Sequence, residues 1–188
     1  VFILADDLGY GDVKAFGKDK CNIDTPHFDR LCAEGMKFTN AHVTDSVCVP
    51  SRTSIMTGRY AFRFGKAEQG GPWGFSGLRF PTTQHTLGRM FQSGGYTTGY
   101  VGKWHLGTRM TTRDGKIQQS ENTDFTKPIL IGPSDYGFDD CFFLPGSLDM
   151  FPYAFIRGKQ WQGKVTAQKD WSAFHRVGPA AEDRALEE

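Results

Sequence analysis

The sequence lacks any apolar run approaching the roughly 20 residues that a membrane-spanning helix requires, so its 188 residues hold no candidate transmembrane segment. It also lacks an excess of either charge, since 22 Lys and Arg against 21 Asp and Glu leave a formal net charge of +1. Without a one-sided field there is nothing to gather nucleic acid or an anionic membrane surface, and neither is expected as a partner. Cysteine is sparse. Cys21, Cys32, Cys48 and Cys141 show none of the paired spacings that hold structural zinc. Cys32 reads as a buried helix residue, while Cys21 and Cys141 suit either free thiols or a disulfide. Internal repeats and low-complexity tracts are absent too.

What is present suits a folded chain. Hydrophobic residues make up 38% and charged residues 23%, which is enough for a core. The length fits one domain or part of a larger one. Val1-Phe2-Ile3-Leu4-Ala5 has no initiator Met and no polar lead-in, and reads as the interior of a strand covered on both faces. The chain is therefore expected to be a piece of a longer protein, with any export signal upstream.

Turn and cap signals order the rest. Asp6-Asp7-Leu8-Gly9-Tyr10-Gly11-Asp12 is a Gly-rich loop after the first run, at the strand end where open α/β sheets bind ligands. Thr25-Pro26 opens a helix with Phe28, Leu31 and Cys32 as its buried stripe and Gly35 as its stop. Phe38 to Val43 reads as a short strand. Pro50 starts a second helix, with Ile55 and Met56 inward and Gly58 at its end. Thr86 to Gln92 reads as a third, and Thr97 to Val101 as a strand leading into Gly102-Lys103-Trp104-His105. This alternation predicts an α/β fold, a mainly parallel sheet layered between helices. Beyond Thr108 the pattern weakens. Thr111 to Lys127 reads as a polar surface excursion, and Tyr153 to Val165 as a hairpin turning at Arg157-Gly158, an insertion away from the main sheet.

Three constellations carry chemistry. Asp6 and Asp7 are adjacent carboxylates that repel unless a cation neutralises them, and their oxygens suit Ca²⁺ or Mg²⁺ rather than Zn²⁺. By itself such a pair is more ordinarily a solvated turn. Cys48 stands just ahead of the helix begun at Pro50, facing unpaired amide donors and the positive end of the helix dipole, a natural place for an anion. Arg52 follows one turn on and can present its donors to an oxyanion at position 48. The plainer reading is a structural Cys and a surface Arg. If the strand through Gly102 continues, Lys103 and His105 share one face, a cation and an imidazole suited to oxyanion and acid–base work. Trp73 and Trp161 read as packing rather than as a substrate cleft.

Taken together, Cys48-Val49-Pro50-Ser51-Arg52 with Thr57-Gly58-Arg59 resembles the maturation motif of the formylglycine-dependent, arylsulfatase-like sulfatases. Phe2 to Asp12 resembles that family's first strand and metal loop, and Thr25 to Leu31 its first helix. Gly102 to Gly107 resembles its second active-site segment, and Gly137-Phe138-Asp139 the turn that follows. The matches run in family order across residues 1 to 140. The resemblance implies an alkaline phosphatase-like fold, of which residues 1–188 would be the N-terminal part of the catalytic domain, with loop or hairpin insertions over 109–188. It implies that Cys48 is oxidised to formylglycine by a formylglycine-generating or a radical maturation enzyme, and that its hydrate is the nucleophile toward a small-molecule or carbohydrate sulfate ester. It further implies that Asp6, Asp7 and the modified side chain of Cys48 face a Ca²⁺ ion, Mg²⁺ being the alternative. Arg52 would stabilise the ionised diol, Lys103 would bridge nucleophile and sulfate, and His105 would assist elimination. The compartment implied is exported, periplasmic or extracellular, or else lysosomal. Two further metal ligands and a distal His and Lys that the family supplies have no match here, and His175 does not lie in the right context for that His. The alternatives are phosphate or phosphonate ester hydrolysis on the same scaffold, and a non-catalytic remnant that binds an anion.

Overall fold

Proline and glycine set the helix ends, because one cannot continue a hydrogen-bonded turn and the other alone adopts a left-handed cap freely. The structure, a computed structural model, describes residues 1–170 and 176–183, and the chain divides into two units, Val1–Val43 and Thr44–Glu188.

In the first unit a short helix α1 (Lys14–Gly17) precedes α2 (Pro26–Glu34), which starts at the expected proline and ends at Gly35. Thr25 occupies the N-cap position, yet its hydroxyl does not cap α2. It accepts from the Lys14 amide at 2.9 Å and donates to Asp29 at 3.1 Å, tying α1 to α2. The stripe expected to be buried is not, and its Cys32 is only half-buried. Phe28 is 45% and Leu31 66% exposed, and the buried apolar residues of this unit are Val13 and Cys21. Neither Phe2–Ala5 nor Phe38–Val43 forms a strand, and both segments are exposed. Apolar composition permits a strand but does not create one. Each needs a neighbouring edge for its amides, and the described residues of this unit contain no strand at all.

The second unit begins with α3 (Cys48–Thr57), closed by Gly58 in the left-handed region at φ 66°. The helix starts two residues earlier than expected, so Cys48 lies inside its first turn and Pro50 is the third helical residue. Proline is tolerated there because the first amides of a helix have no intrahelical acceptor. After α4 (Leu87–Ser93), with Thr86 as its N-cap, comes β1 (Gly99–Lys103). It pairs in parallel with β2 (Asp140–Leu144), from Gly99 opposite Asp140 to Lys103 opposite Leu144. β2 then pairs antiparallel with β3 (Ile156–Arg157), which turns back into β4 (Gln160–Trp161). The hairpin forms with its turn one residue later than expected, at Gly158-Lys159, Arg157 being paired with Gln160. It pairs with β2 and so extends the main sheet, where it was expected to lie away from it. A second small sheet joins β5 (Ala167–Lys169) and β6 (Gly178–Ala180). Among the described residues the architecture is thus α/β with a mixed sheet, whose parallel pairing is the one between β1 and β2.

That pairing is locked at its start. The Asp139 carboxylate accepts from the Thr98 amide at 2.8 Å and the Thr98 hydroxyl at 3.0 Å, while Gln92 of α4 donates to its other oxygen at 2.7 Å. Gly88 of α4 and Gly137 lie backbone to backbone. A methyl group on Gly88 would meet the Gly137 carbonyl oxygen at 2.5 Å. The core beneath the sheet gathers Phe75, Phe80, Trp104, Tyr136, Phe143 and Ile156. The polar excursion 111–127 is pinned from inside by the buried Gln118, which accepts from the Met110 amide at 2.6 Å and donates to the Phe75 and Thr108 carbonyls, each at 2.9 Å. Trp161 packs edge-on against Phe125 beside the core, whereas Trp73 is 36% exposed with Arg176 lying 4.2 Å over its ring.

Hydrogen bonds from the Thr98 backbone and hydroxyl hold the Asp139 carboxyl below its ordinary value of 3.8. The associated stabilisation is present above 3.8 and is lost as pH falls through the lowered folded value. Asp139→Asn should therefore lower the denaturation midpoint near neutrality and shrink its fall between about pH 5 and pH 2. Equal acid-induced losses in the two proteins would contradict this lock.

Candidate active site

The amino end of α3 is built to leave donors open. Its N-cap residue, Val47, has extended backbone and no side chain that can accept from the first-turn amides. Ser51 secures the approach to the helix instead, donating its hydroxyl to the Asp45 carbonyl at 2.7 Å. Thr53, fully buried, donates back to the Val49 carbonyl at 2.7 Å, a bond internal to the helix. Half-buried Cys48 thus sits on a rigid turn at the positive end of the helix dipole.

Lys103, the last residue of β1, meets this turn. Its ammonium nitrogen donates to the Cys48 sulfur at 3.2 Å. Arg52, only 9% exposed, donates Nη1 to the Lys103 carbonyl at 2.6 Å. The residues singled out on the helix and on the strand therefore converge, with Lys103 bonded to both. The plain reading of Arg52 as a surface residue does not hold, since its charge is buried and bonded.

His105 is placed differently from the expectation. β1 ends at Lys103, and His105 has left-handed backbone with φ 54°, so strand alternation no longer relates it to Lys103. Its position is set by the amide, which donates to the Pro145 carbonyl at 3.1 Å. The intervening Trp104 is fully buried and donates its indole N–H to the Gly107 carbonyl at 2.7 Å. Gly107 is required there, since φ is 81° and a methyl group would lie 2.0 Å from the Gly77 carbonyl oxygen.

Asp6 and Asp7 belong to the first unit, where both are exposed and Asp7 has φ 58°. Two adjacent carboxylates are hard oxygen donors and fit Ca²⁺ or Mg²⁺ in kind. Among the described residues, no group of three or more His, Cys, Asp or Glu side chains comes together to hold a metal. His175 lies outside the described residues.

One residue of the cluster went unnoticed in the sequence. Tyr100 of β1 donates its hydroxyl to the Lys103 carbonyl at 2.5 Å. The available signal was a phenol within a strand ending at the Gly-Lys-Trp-His segment, since a half-buried hydroxyl there needs an acceptor. All four cysteines are free thiols. Cys21 donates to the Ile23 carbonyl at 3.2 Å, and burial pushes the Cys141 thiol up to about 12.

Comparison with known proteins adds the family context. A family model described as Sulfatase matches residues 1–175. The N-acetylgalactosamine-6-O-sulfatase of Bacteroides thetaiotaomicron is 38% identical over 156 residues, covering 83% of this chain and 28% of that protein. Arylsulfatase H of Canis lupus familiaris is 36% identical over 155 residues, covering 79% and 25%. The chain thus spans about a quarter of the length of these relatives. A solved chain from work on the metabolism of multiple glycosaminoglycans by Bacteroides thetaiotaomicron superposes with a TM-score of 0.70 at 37% identity, covering 84% of this chain and 30% of that one. The crystal structure of Ps i-CgsB in complex with k-i-k-neocarrahexaose gives a TM-score of 0.57 at 31% identity, covering 76% and 27%.

The thiols should report these environments directly. With iodoacetamide at about pH 8, below the ordinary thiol range, Cys48 and Cys32 of the folded chain should alkylate while Cys141 resists until the protein is unfolded. Labelling of native Cys141 as fast as Cys48 would contradict the packing described.

Proposed function

The chain belongs to the sulfatase family, with its alkaline phosphatase-like α/β fold, and from that premise we propose that it carries the nucleophile side of a sulfate-monoester hydrolase whose reacting group is made from Cys48. We take it to be the N-terminal part of that catalytic domain, the order of its motifs being the support. The observation that carries the reading is the contact of the Lys103 ammonium with the Cys48 sulfur, at 3.2 Å, beside the amino end of α3.

In this reading a maturation enzyme first oxidises the Cys48 side chain to an aldehyde, which hydrates to a geminal diol. A bare thiol would be a poor final nucleophile, because sulfur transfer to it leaves a thiosulfate ester with no simple exit. The diol has one. One hydroxyl oxygen attacks the sulfur of the ester, and the bond from sulfur to the alcohol oxygen breaks, with a proton delivered to the departing alkoxide. The second hydroxyl then loses its proton, its oxygen forms the carbonyl, and the bond from carbon to the sulfate-bearing oxygen breaks. The aldehyde is regenerated and one water is consumed overall. Two easier steps replace one hard one.

Lys103, already directed at position 48, would lie between the nucleophile and a sulfate oxygen. Arg52, fixed on the same helix, would stabilise the ionised hydroxyl. Loss of one such donor typically costs on the order of 10²–10³ in rate. His105 would accept the proton from the second hydroxyl. Asp6 and Asp7 would hold a Ca²⁺ ion, or Mg²⁺, in the whole protein. When bound, such an ion would supply positive charge that neutralises sulfate oxygens and favours the ionised diol. Both sulfated carbohydrates and aryl sulfates fit the names of the relatives. The family resemblance favours an exported or lysosomal setting.

The test uses the full-length protein from its native host. The tryptic peptide Phe38–Arg52 should show the mass loss of a thiol replaced by an aldehyde, and an aryl sulfate should turn over faster than its phosphate analogue. Cys48→Ala should abolish turnover with little change in melting temperature. Unmodified Cys48 throughout, or most of the activity surviving in Cys48→Ala, would sink the mechanism. Faster phosphate turnover would reassign the substrate class.

A further inference from the structure

We infer that Tyr100 is a positioning residue for the reaction proposed above, holding the Lys103 carbonyl and, through it, both the Arg52 guanidinium and the Lys103 ammonium. Its functional meaning rests on that proposed reaction, while its geometry stands on contacts of its own.

The Lys103 carbonyl oxygen accepts two bonds, from the Tyr100 hydroxyl at 2.5 Å and from Arg52 Nη1 at 2.6 Å. A carbonyl has two lone pairs, so this pair of donors can occupy both. Two donors on one oxygen draw on the same electron density and do not strengthen each other. What they supply is geometric, because the oxygen is held from the helix side by Arg52 and from the strand side by Tyr100. The same residue extends its ammonium to the Cys48 sulfur at 3.2 Å. A displacement of the Lys103 main chain would therefore move the anchor of Arg52 and the base of the Lys103 side chain together.

Tyr100 is suited to resist that displacement. Its ring lies edge-on to Trp104, with centroids 5.2 Å apart and planes at 89°, and to Phe138 at 5.2 Å and 65°. Trp104 is fully buried. Two such contacts fix a ring that has only two side-chain torsions, so the hydroxyl is delivered from a rigid body. The bond runs back to the same strand three residues on. Between donor and acceptor lies Gly102 with φ 112°, a backbone conformation that L side chains rarely adopt. No feature of the proposed chemistry needs a phenol at this position, and none of the roles already assigned uses it.

Tyr100→Phe removes the hydroxyl and keeps the ring. In the matured, full-length enzyme we expect kcat toward an aryl sulfate to fall about tenfold while KM stays within about twofold, since a misplaced group costs rate more than ground-state binding. The melting temperature should drop by no more than about 4 °C. A kcat within about twofold of the parent value would overturn the inference. A second measurement keeps the test decisive if the single variant proves unstable. Adding Tyr100→Phe to Arg52→Lys should cost much less than it does alone, because the two act through one carbonyl, and strict additivity would overturn the inference. A parent enzyme inactive toward sulfate esters would sink the proposed reaction, not this geometry. The geometry is then read in the unmatured chain, where Tyr100→Phe should change the ratio of Cys48 to Cys32 alkylation by iodoacetamide at least about threefold. An unchanged ratio would overturn it.

Discussion

The Lys103 residue bonds at both ends, and the site depends on that double attachment. Its carbonyl is gripped by Arg52 from α3 and by Tyr100 from its own strand, while its ammonium reaches the Cys48 sulfur. A helix and a strand contributed by separate parts of the chain are thereby held in one relation where the chemistry is proposed to occur. The arrangement also answers the cost of burying Arg52, whose charge would be expensive in the interior without acceptors. An oxyanion site needs its donors in place before the charge develops, because reorganising them during the reaction would use up the stabilisation they provide.

Everything behind β1 serves to keep Lys103 where it is. The Asp139 carboxylate sets the start of the β1–β2 pairing, and that register brings Lys103 opposite Leu144. The chain beyond Lys103 is held in turn, with the Trp104 and His105 amides donating to the Leu144 and Pro145 carbonyls at 3.0 and 3.1 Å. Trp104 fills the core while Lys103, before it, extends to the Cys48 sulfur. The Gly88 and Gly137 backbones touch because neither carries a side chain, which lets α4 lie close to the turn that begins β2.

Much of this was legible from residues alone. The ends of α2, α3 and α4 follow from Pro26, Gly35, Gly58 and Thr86, because proline, glycine and capping hydroxyls act on the backbone within one turn. The hairpin follows from the same local rules, with Gly158 at its turn. The early strands did not form, and the stripe of α2 stayed exposed, because burial and strand pairing need a partner surface that composition does not supply. Cys48 inside the helix instead of ahead of it is a smaller miss with a clear cause. Proline is acceptable anywhere in the first turn, so it marks a helix start only to within a few residues.

The sequence by itself determined which side chains are available and the family to which they point. A thiol, a guanidinium, an ammonium, an imidazole and paired carboxylates are chemical identities, and no fold is needed to read them. Tertiary structure decided which of them meet. Arg52 and the Lys103 carbonyl are 51 residues apart, and Lys103 and Cys48 are 55 apart. Contacts at that separation depend on sheet register and on helix packing against the sheet, both summed over many weak interactions. It also decided that a main-chain carbonyl would be the junction. Every residue carries one, so nothing in the sequence distinguishes that of Lys103 until Tyr100 and Arg52 are seen to converge on it.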